Sequence, residues 1–230
     1  MNQLFAGKGL MKYEDGSGTT WQRVSAEIDW TAKVVCGKCN NGWMSKIENE
    51  HAKPVLTPLI KCDEAVPLTS ALARSLAIFT FKTAVVLDHA HKLSGVPYFC
   101  SNERSAFREH LTIPDNIQMW MGGFEGHRRK IKTQTVHHSG YITPTQPLTM
   151  FVFTCALGNL VLQMVHAKVS GIAGFEPLPG FDYTMAPFWP VMYPNLTWPL
   201  DSKLKTDSEF DALRDRWRTI GPMHDEAVEQ

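Results

Sequence analysis

The sequence lacks an excess of charge of either sign. Its 23 Lys and Arg residues balance its 23 Asp and Glu residues, so the formal net charge is zero when the histidines are neutral. Such a chain is not steered as a whole toward nucleic acid, although a local basic patch can still bind phosphates. Hydrophobic residues make up 43% of the 230, which favours a folded domain over a disordered chain.

Long apolar runs are also missing. A membrane span needs ~18 uninterrupted apolar residues, and the two most apolar windows, residues 71–87 and 150–165, are both interrupted. The interrupting residues are Arg74, Lys82, Asn159 and Gln163. The first ten residues are only mildly apolar and do not resemble a signal peptide. We therefore expect a soluble, cytoplasmic protein with no membrane partner.

Cysteine is scarce and odd in number. The five cysteines are Cys36, Cys39, Cys62, Cys100 and Cys155. One close pair and three scattered thiols fit a reducing compartment better than a disulfide framework. We expect Cys155, which lies in an apolar run, to be a small buried side chain. Cys62 and Cys100 are expected to be structural, with metal ligation as the alternative for either.

The hydrophobic pattern predicts two helices in the middle of the chain. Leu68 to His91 has helical spacing and few polar positions, which predicts a long helix buried on several sides. Its polar positions, Arg74, Lys82 and His89, indicate a narrow solvated edge. The alternative is that Lys82 points into a site. A shorter helix is predicted over Asn102 to Leu111.

Beyond Ile117 the pattern alternates with a period of two. Residues 127–142 are polar and Thr-rich, which suits an exposed or edge strand pair, whereas Thr149–Leu157 and Leu160–Lys168 are apolar. We predict an antiparallel sheet of four or five strands, with the long helix covering one face. Gly158 at the first turn position predicts a type II′ hairpin. The fold class is therefore α+β.

Two further signals lie near the C-terminus. Residues 177–199 contain six prolines, and this density predicts a segment without regular structure that is anchored by Trp189 and Trp198. Thr206 to Glu209 has the pattern of a capping box and predicts the start of a last helix.

The strongest chemical signal is Cys36-Gly37-Lys38-Cys39. Two thiolates two residues apart can hold one metal ion from a tight turn, but structural Zn²⁺ takes four ligands, so one pair is half a site. A redox pair is a second interpretation, although it is expected at the start of a longer helix without an intervening turn. A turn with free thiols is the third.

A strand-like stretch, Thr20 to Val35, precedes the pair, and a short helix is predicted after it. We expect this helix to run from Gly42 to Ala52, with Asn41 as its N-cap and Pro54 and Pro58 as its end. The residues that share one face of it are Trp43, Ile47 and His51.

The run from Val34 to Glu48, VVCGKCNNGWMSKIE, resembles a segment of a bacterial and phage group of HNH-endonuclease-like proteins. In that group the segment reads roughly Val-Cys-x-x-Cys-Asn-Asn-Gly-Trp-Met-Ser-x-Leu-Glu. Weaker similarity continues through Phe81 to Ala84 and Leu160 to Gln163.

The resemblance implies a ββα-metal finger, in which two short strands and a helix hold a catalytic divalent cation and a His of the first strand is the general base. It also implies that Cys36 and Cys39 are the second pair of a structural Zn²⁺ site. Asn40 then offers a ligand or an orienting group to a catalytic Mg²⁺ or Mn²⁺, and Glu48 lies further along the helix of the finger.

The chain departs from this group before Cys36. No Cys and no His precede that position, so the first zinc pair and the Glu-His element that bears the base are missing. Either the missing half is encoded upstream of Met1 or was lost, or the chain is a variant that has discarded cleavage. A third option is that His51 or Cys62 completes a rearranged site, including one across a homodimer.

We therefore expect a relative of metal-dependent DNA hydrolases with weak or no nuclease activity, and Asn40, Glu48 and His51 as its candidate catalytic residues. The alternative is a non-catalytic binding or inhibitory protein that acts on a protein or nucleic acid, and the same resemblance implies a phage origin for it. Residues 1–60 are predicted to form the partial finger, 61–223 the α+β domain and 224–230 a flexible tail.

One dense basic cluster is a candidate for binding DNA phosphates. A solvated strand end is the alternative interpretation of the same residues. The candidate nucleic-acid-binding residues are Arg128, Arg129, Lys130 and Lys132.

Overall fold

The computed structural model describes residues 9–14, 20–25, 35–90, 97–125, 131–143, 146–168, 183–190 and 195–215. These residues form an α+β fold, in which helices cover an antiparallel sheet and the longest helix is buried. The predicted fold class is confirmed at this level. Two strands, β1 (Gly9–Glu14) and β2 (Thr20–Ser25), pair with each other near the N-terminus.

A helical segment with one interruption, α1, covers residues 37–61. Its α turns are Gly37–Cys39, Ser45–Ile47 and Lys53–Lys61, and the π turns Asn40–Met44 and Glu48–Ala52 lie between them. Cys36 is the N-cap of the first turn only, and the side-chain oxygen of Asn41, the predicted N-cap, accepts from the Asn40 amide at 3.5 Å. The helical path is interrupted at Gly42, where φ is −97° and ψ is −113°.

The prediction that Pro54 and Pro58 end the helix is wrong, since α1 continues to Lys61. The Lys53 N–H donates to the Glu48 carbonyl, five residues back, in the π turn directly before Pro54. Pro54 then lies in the first turn of the following α segment, where a missing N–H costs little.

The two predicted central helices are confirmed. Helix α2 is Ser70–Ala90 and helix α3 is Ser101–His110. A two-residue strand, β3 (Val66–Pro67), precedes α2. By length and composition, Ser70–His89 would be able to cross a membrane, but 56% of its most apolar window is buried within the fold. A core helix of a folded domain meets the same criterion, so this finding does not place α2 in a membrane.

In the described part of the chain, the main sheet has six strands, slightly more than the four or five predicted. The strands are β4 (Ile117–Phe124), β5 (Ile131–Thr143), β6 (Gln146–Leu157), β7 (Leu160–Lys168), β8 (Met185–Trp189) and β10 (Lys203–Leu204). Their order in the sheet is β10-β4-β7-β6-β5, and β8 also pairs with β4. All pairs are antiparallel except β10 with β4.

The strands β6 and β7 form the predicted hairpin. Leu157 pairs with Leu160 across Gly158 and Asn159. The φ angle is positive at Gly158 (61°) but not at Asn159, as a type II′ turn requires. Residues 131–143 form one edge strand rather than the predicted strand pair.

Both faces of the sheet are buried. On one face, Phe151, Phe153 and Leu162 share a core with α1 and α2. On the other, Val152 and Val165 pack with residues of the last helix, α4 (Asp207–Asp215). The predicted capping box is present there, because the Glu209 N–H donates to the Thr206 Oγ1 at 3.2 Å and the Thr206 N–H donates to the Glu209 carboxylate at 3.3 Å.

The Pro-rich segment is more regular than predicted. It contains β8 and the short strand β9 (Thr197–Trp198), which pairs with β3. Pro187 is accommodated in β8 next to a register shift against β4, at a position where a missing N–H is tolerated. Trp198 is a buried anchor, as predicted, and its Nε1–H donates to the Leu59 carbonyl at 2.9 Å.

Candidate metal site

The Cys36–Cys39 pair lies at the exposed start of α1. Cys36 is extended (φ −67°, ψ 151°), and its Sγ accepts a hydrogen bond from the Cys39 backbone N–H at 3.3 Å. This N–H lowers the pKa of the Cys36 thiol below its ordinary value, and the Arg108 charge acts in the same direction. The thiolate is the form that binds a metal ion, so the local backbone favours metal binding at Cys36.

Within the part of the chain that the structure describes, the surroundings of the pair are open. A Cβ atom added at Gly37 or at Gly42 would meet no other atom within 4 Å. The polar residues between and after the cysteines, Lys38, Asn40 and Asn41, are exposed. Asn40, the predicted ligand of a catalytic cation, therefore presents its amide to solvent next to the two thiols.

The chain after Gly42 fixes this loop to the fold. Trp43 packs edge-on against Phe107 of α3, with ring centroids 6.1 Å apart. Met44 and Ile47 are buried. The contact with α3 explains why Arg108, one residue after Phe107, acts on Cys36.

Glu48 is paired with a lysine of α2. Its carboxylate lies 2.5 Å from the Lys82 Nζ. Lys82 is only 7% exposed, so the interpretation of this residue as part of a solvated edge is wrong. The ammonium also lies 5.7 Å from the centre of the Phe79 ring. Glu48 therefore neutralises a buried charge and joins α1 to α2.

His51 also contacts α2. Its Nδ1 lies 3.2 Å from the Ser75 Oγ, and the pair is partly buried. Glu48 and His51, both candidate catalytic residues, thus face the same neighbouring helix. Their contacts join α1 to α2, and the Glu48 side chain remains 44% exposed.

A complete metal site is not assembled within the described residues, where no group of three or more His, Cys, Asp and Glu side chains is placed to hold an ion. Cys62 ends α1 with a left-handed backbone (φ 58°), roughly 30 Å of helix beyond the interruption at Gly42. His51 lies about 13 Å of helix beyond the same interruption. Neither residue is beside the pair in one chain.

The donor set of the pair matches half of a Zn²⁺ site, since zinc takes thiolates in tetrahedral groups of four. The same residues fit Mg²⁺ or Mn²⁺ less well, because these ions prefer several oxygen ligands. Asn40 supplies one exposed amide oxygen, and the Glu48 carboxylate is already bound to Lys82.

The predicted basic cluster is described only in part. Arg128, Arg129 and Lys130 lie outside the described residues. Lys132 belongs to the edge strand β5, where its backbone pairs with Ala156.

The sequence interpretation missed a second polar cluster, at the far end of α2. Asp88 is fully buried, and its two carboxylate oxygens accept the backbone N–H groups of Tyr98 (3.0 Å) and Phe99 (3.1 Å). The Tyr98 hydroxyl lies 3.1 Å from the carbonyl oxygens of both Thr149 and His166. The available signal was Asp88 itself, the one acidic residue in the sequence of α2.

His166 and Glu103 complete this cluster. Burial lowers the pKa of His166 to about 4, and its Nδ1 has no hydrogen-bond partner in the part of the fold that is described. Burial would raise the pKa of Glu103, but the Cys100 N–H at 2.6 Å and the Lys168 charge together lower it. The cluster attaches the start of α3 to β7.

Comparison with known proteins returns no relative: no family model and no curated protein matches the sequence, and no solved structure matches the fold. The functional interpretation therefore depends on the resemblance of residues 34–48 and on the geometry described above.

Proposed function

We propose that this protein is HNH-endonuclease-like, retains half of a structural zinc site in Cys36 and Cys39, and hydrolyses DNA weakly or not at all. The supporting observation is that Glu48 and His51 are both engaged with α2, at 2.5 Å from Lys82 and 3.2 Å from Ser75. The residues on α1 that were candidates for proton transfer thus have structural partners.

Metal-dependent phosphodiester hydrolysis needs a base that removes a proton from water and a cation that stabilises charge on the phosphate. The Glu48 carboxylate is already paired with the Lys82 ammonium at 2.5 Å, and the His51 ring is held at the Ser75 hydroxyl, so each already has a partner on α2. Asn40 would orient a cation or a phosphate but cannot accept the proton. The chain's own residues at this site therefore support binding better than cleavage.

A zinc ion held at Cys36 and Cys39 would act as a structural support for the exposed loop. The two thiols would supply its ligands, and the Cys39 N–H would remain bonded to the Cys36 sulfur. Such hydrogen bonds orient and stabilise metal-bound thiolates.

The second candidate function is non-catalytic binding of nucleic acid or of a protein. The observation that favours nucleic acid is a set of exposed lysines along α1, spaced by seven or eight residues: Lys38, Lys46, Lys53 and Lys61. Lysines on one exposed element neutralise backbone phosphates without reading sequence. Lys46 is 3.9 Å from Glu50, so part of this charge is compensated.

Cleavage of supercoiled plasmid DNA in Mg²⁺ or Mn²⁺ tests the proposed function. We expect little or no nicking by the purified chain, together with bound zinc that is lost in Cys36→Ser and retained in Cys100→Ser. Rapid metal-dependent cleavage that disappears in Asn40→Ala but not in Asn41→Ala would contradict the proposal. Absence of zinc from the wild-type protein would contradict its structural part.

Salt-dependent DNA binding separates the two candidates. If α1 binds phosphates, replacement of Lys53 by Gln should weaken binding similarly for unrelated DNA sequences. It should also reduce the slope of log affinity against log salt concentration by about one. Lys203, which is paired with Glu125 on a different element, provides the matched control. A stable complex with a protein and no DNA binding would support the protein-binding alternative.

A further inference from the structure

We propose that two copies of this chain share one Zn²⁺, with Cys36 and Cys39 of each copy supplying the four ligands. This inference rests on the proposed zinc half-site and adds the source of its missing half. It makes the exposed start of α1 an interface between identical chains.

The first step is the supply of thiolates. All five cysteines are among the described residues, and the other three lie elsewhere. Cys62 is at the opposite end of α1, Cys155 is buried in β6, and Cys100 precedes α3. Cys100 lies roughly 12 Å along α3 from Arg108. A second pair of thiolates next to Cys36 must therefore come from another chain.

The second step is access. Cys36 is exposed, as are Gly37 and Lys38 after it, and there is free space at Gly37 and Gly42. The Cys36 sulfur lies 3.3 Å from the Cys39 backbone nitrogen, and two cysteines at this spacing can hold one metal ion from such a tight turn. The two glycines themselves add no side chain to this exposed surface.

The third step is charge. A Zn²⁺ ion with four thiolates carries two net negative charges. Each chain brings Lys38, within the turn, and Arg108, whose charge acts on Cys36. Two copies therefore place four cationic side chains around the cluster, which offsets its charge and lowers the repulsion between the thiolates.

The fourth step is symmetry. The same surface on both copies meets around a two-fold axis through the metal, so the assembly closes at two chains. The expected stoichiometry is one zinc per dimer. A site completed inside one chain would instead bind one zinc per monomer.

The experiment is a zinc titration of the full, tag-free chain in a reducing buffer, followed by light scattering after size exclusion and by metal analysis. We expect the metal-free protein to be a monomer that becomes a dimer with half a zinc per chain and returns to a monomer with a chelator. Cys36→Ser and Cys39→Ser should each stay monomeric at zinc concentrations that fully dimerise the wild type. Cys100→Ser should dimerise normally.

Cobalt provides an independent readout. Co²⁺ in place of zinc should give the sulfur-to-metal charge-transfer absorption of a four-thiolate tetrahedral site, in proportion to the dimer. One zinc bound per monomer would overturn the shared site while leaving the zinc half-site of the proposed function intact. No zinc binding would overturn both, and a dimer that persists in Cys36→Ser would overturn the metal bridge.

Discussion

Lys82 is a charged residue in the most buried helix of the fold. A buried ammonium is costly unless a carboxylate pairs with it, and Glu48 does so from α1 at 2.5 Å. The side chain of Glu48 is 44% exposed, so solvent screens the pair and its contribution to stability is moderate. The structural value of Glu48 lies mainly in preventing an unpaired charge at Lys82.

The first prediction concerns this pair. Replacement of Glu48 by Gln should lower the free energy of unfolding by ~1–2 kcal/mol, because Lys82 then remains buried without its counter-charge. Lys82→Met should cost less, since methionine keeps the apolar stem and removes the charge. Urea denaturation measures both, and the double variant should be more stable than the sum of the single effects predicts. Simple additivity would contradict the pairing.

The second prediction concerns His166. Because its folded pKa of about 4 is below the ordinary value of 6.5, the unfolded chain binds a proton that the folded chain does not between these pH values. Stability should be fully present above pH 6.5 and should fall as the pH decreases toward 4, by ~3 kcal/mol at most. His166→Phe should remove this part of the pH dependence of urea unfolding.

The control for His166 is His110, which is exposed at the end of α3. His110→Gln should leave the pH dependence between 6.5 and 4 as it is in the wild type. If His166→Phe and His110→Gln have the same pH profile, burial does not depress the His166 pKa.

At the scale of elements, β4 and β8 approach each other closely at a glycine. A Cβ atom at Gly122 would lie 2.3 Å from the Met185 Sδ and 2.5 Å from the Thr184 carbonyl oxygen. The flexible sulfur can move, but the backbone oxygen cannot without shifting β8. Glycine at this position therefore permits the pairing of the two strands.

The third prediction is that Gly122→Ala destabilises the protein by ~1–3 kcal/mol, the range expected for an overpacked interior. Gly37→Ala is the matched control, because a Cβ there meets no other atom within 4 Å. Its thermal midpoint should equal or slightly exceed that of the wild type, since alanine favours helix more than glycine does. Equal destabilisation by both variants would contradict the packing explanation.

At the scale of the whole molecule, α1 is attached to distant parts of the chain. Near its end, the Leu59 carbonyl accepts a hydrogen bond from the Trp198 indole at 2.9 Å, and the Ile60 carbonyl accepts one from the Asn159 amide at 3.1 Å. Its apolar residues, including Val55 and Leu56, share a core with the sheet. The predicted division of the chain at residue 60 therefore crosses a continuous core.

The fourth prediction follows from this continuity. The transition of α1 should coincide with that of the sheet, so urea curves from far-ultraviolet circular dichroism and from tryptophan fluorescence should overlap. Trp198→Phe should shift both curves together to lower urea, because it removes the donor to the Leu59 carbonyl and part of a buried side chain. An early, separate loss of helical signal would contradict a single cooperative unit.

The sequence by itself determined the elements whose signals are local. The spacing of apolar residues predicted α2 and α3, Gly158 predicted the hairpin turn, and Thr206 with Glu209 predicted the start of α4. It also placed the two thiols of the candidate metal site, because two cysteines so close in sequence are close in space in almost any conformation.

Only the tertiary structure decided which polar residues meet. Lys82 and Glu48 are 34 residues apart in sequence, and Asp88 accepts a hydrogen bond from the backbone of Tyr98, ten residues later. Local periodicity contains no information about such pairs, because they depend on how helices are packed against one another. The same holds for α1, which continues through two prolines because its apolar face is buried against α2 and the sheet. In α1, the packing of this apolar face therefore outweighs the low helix propensity of proline.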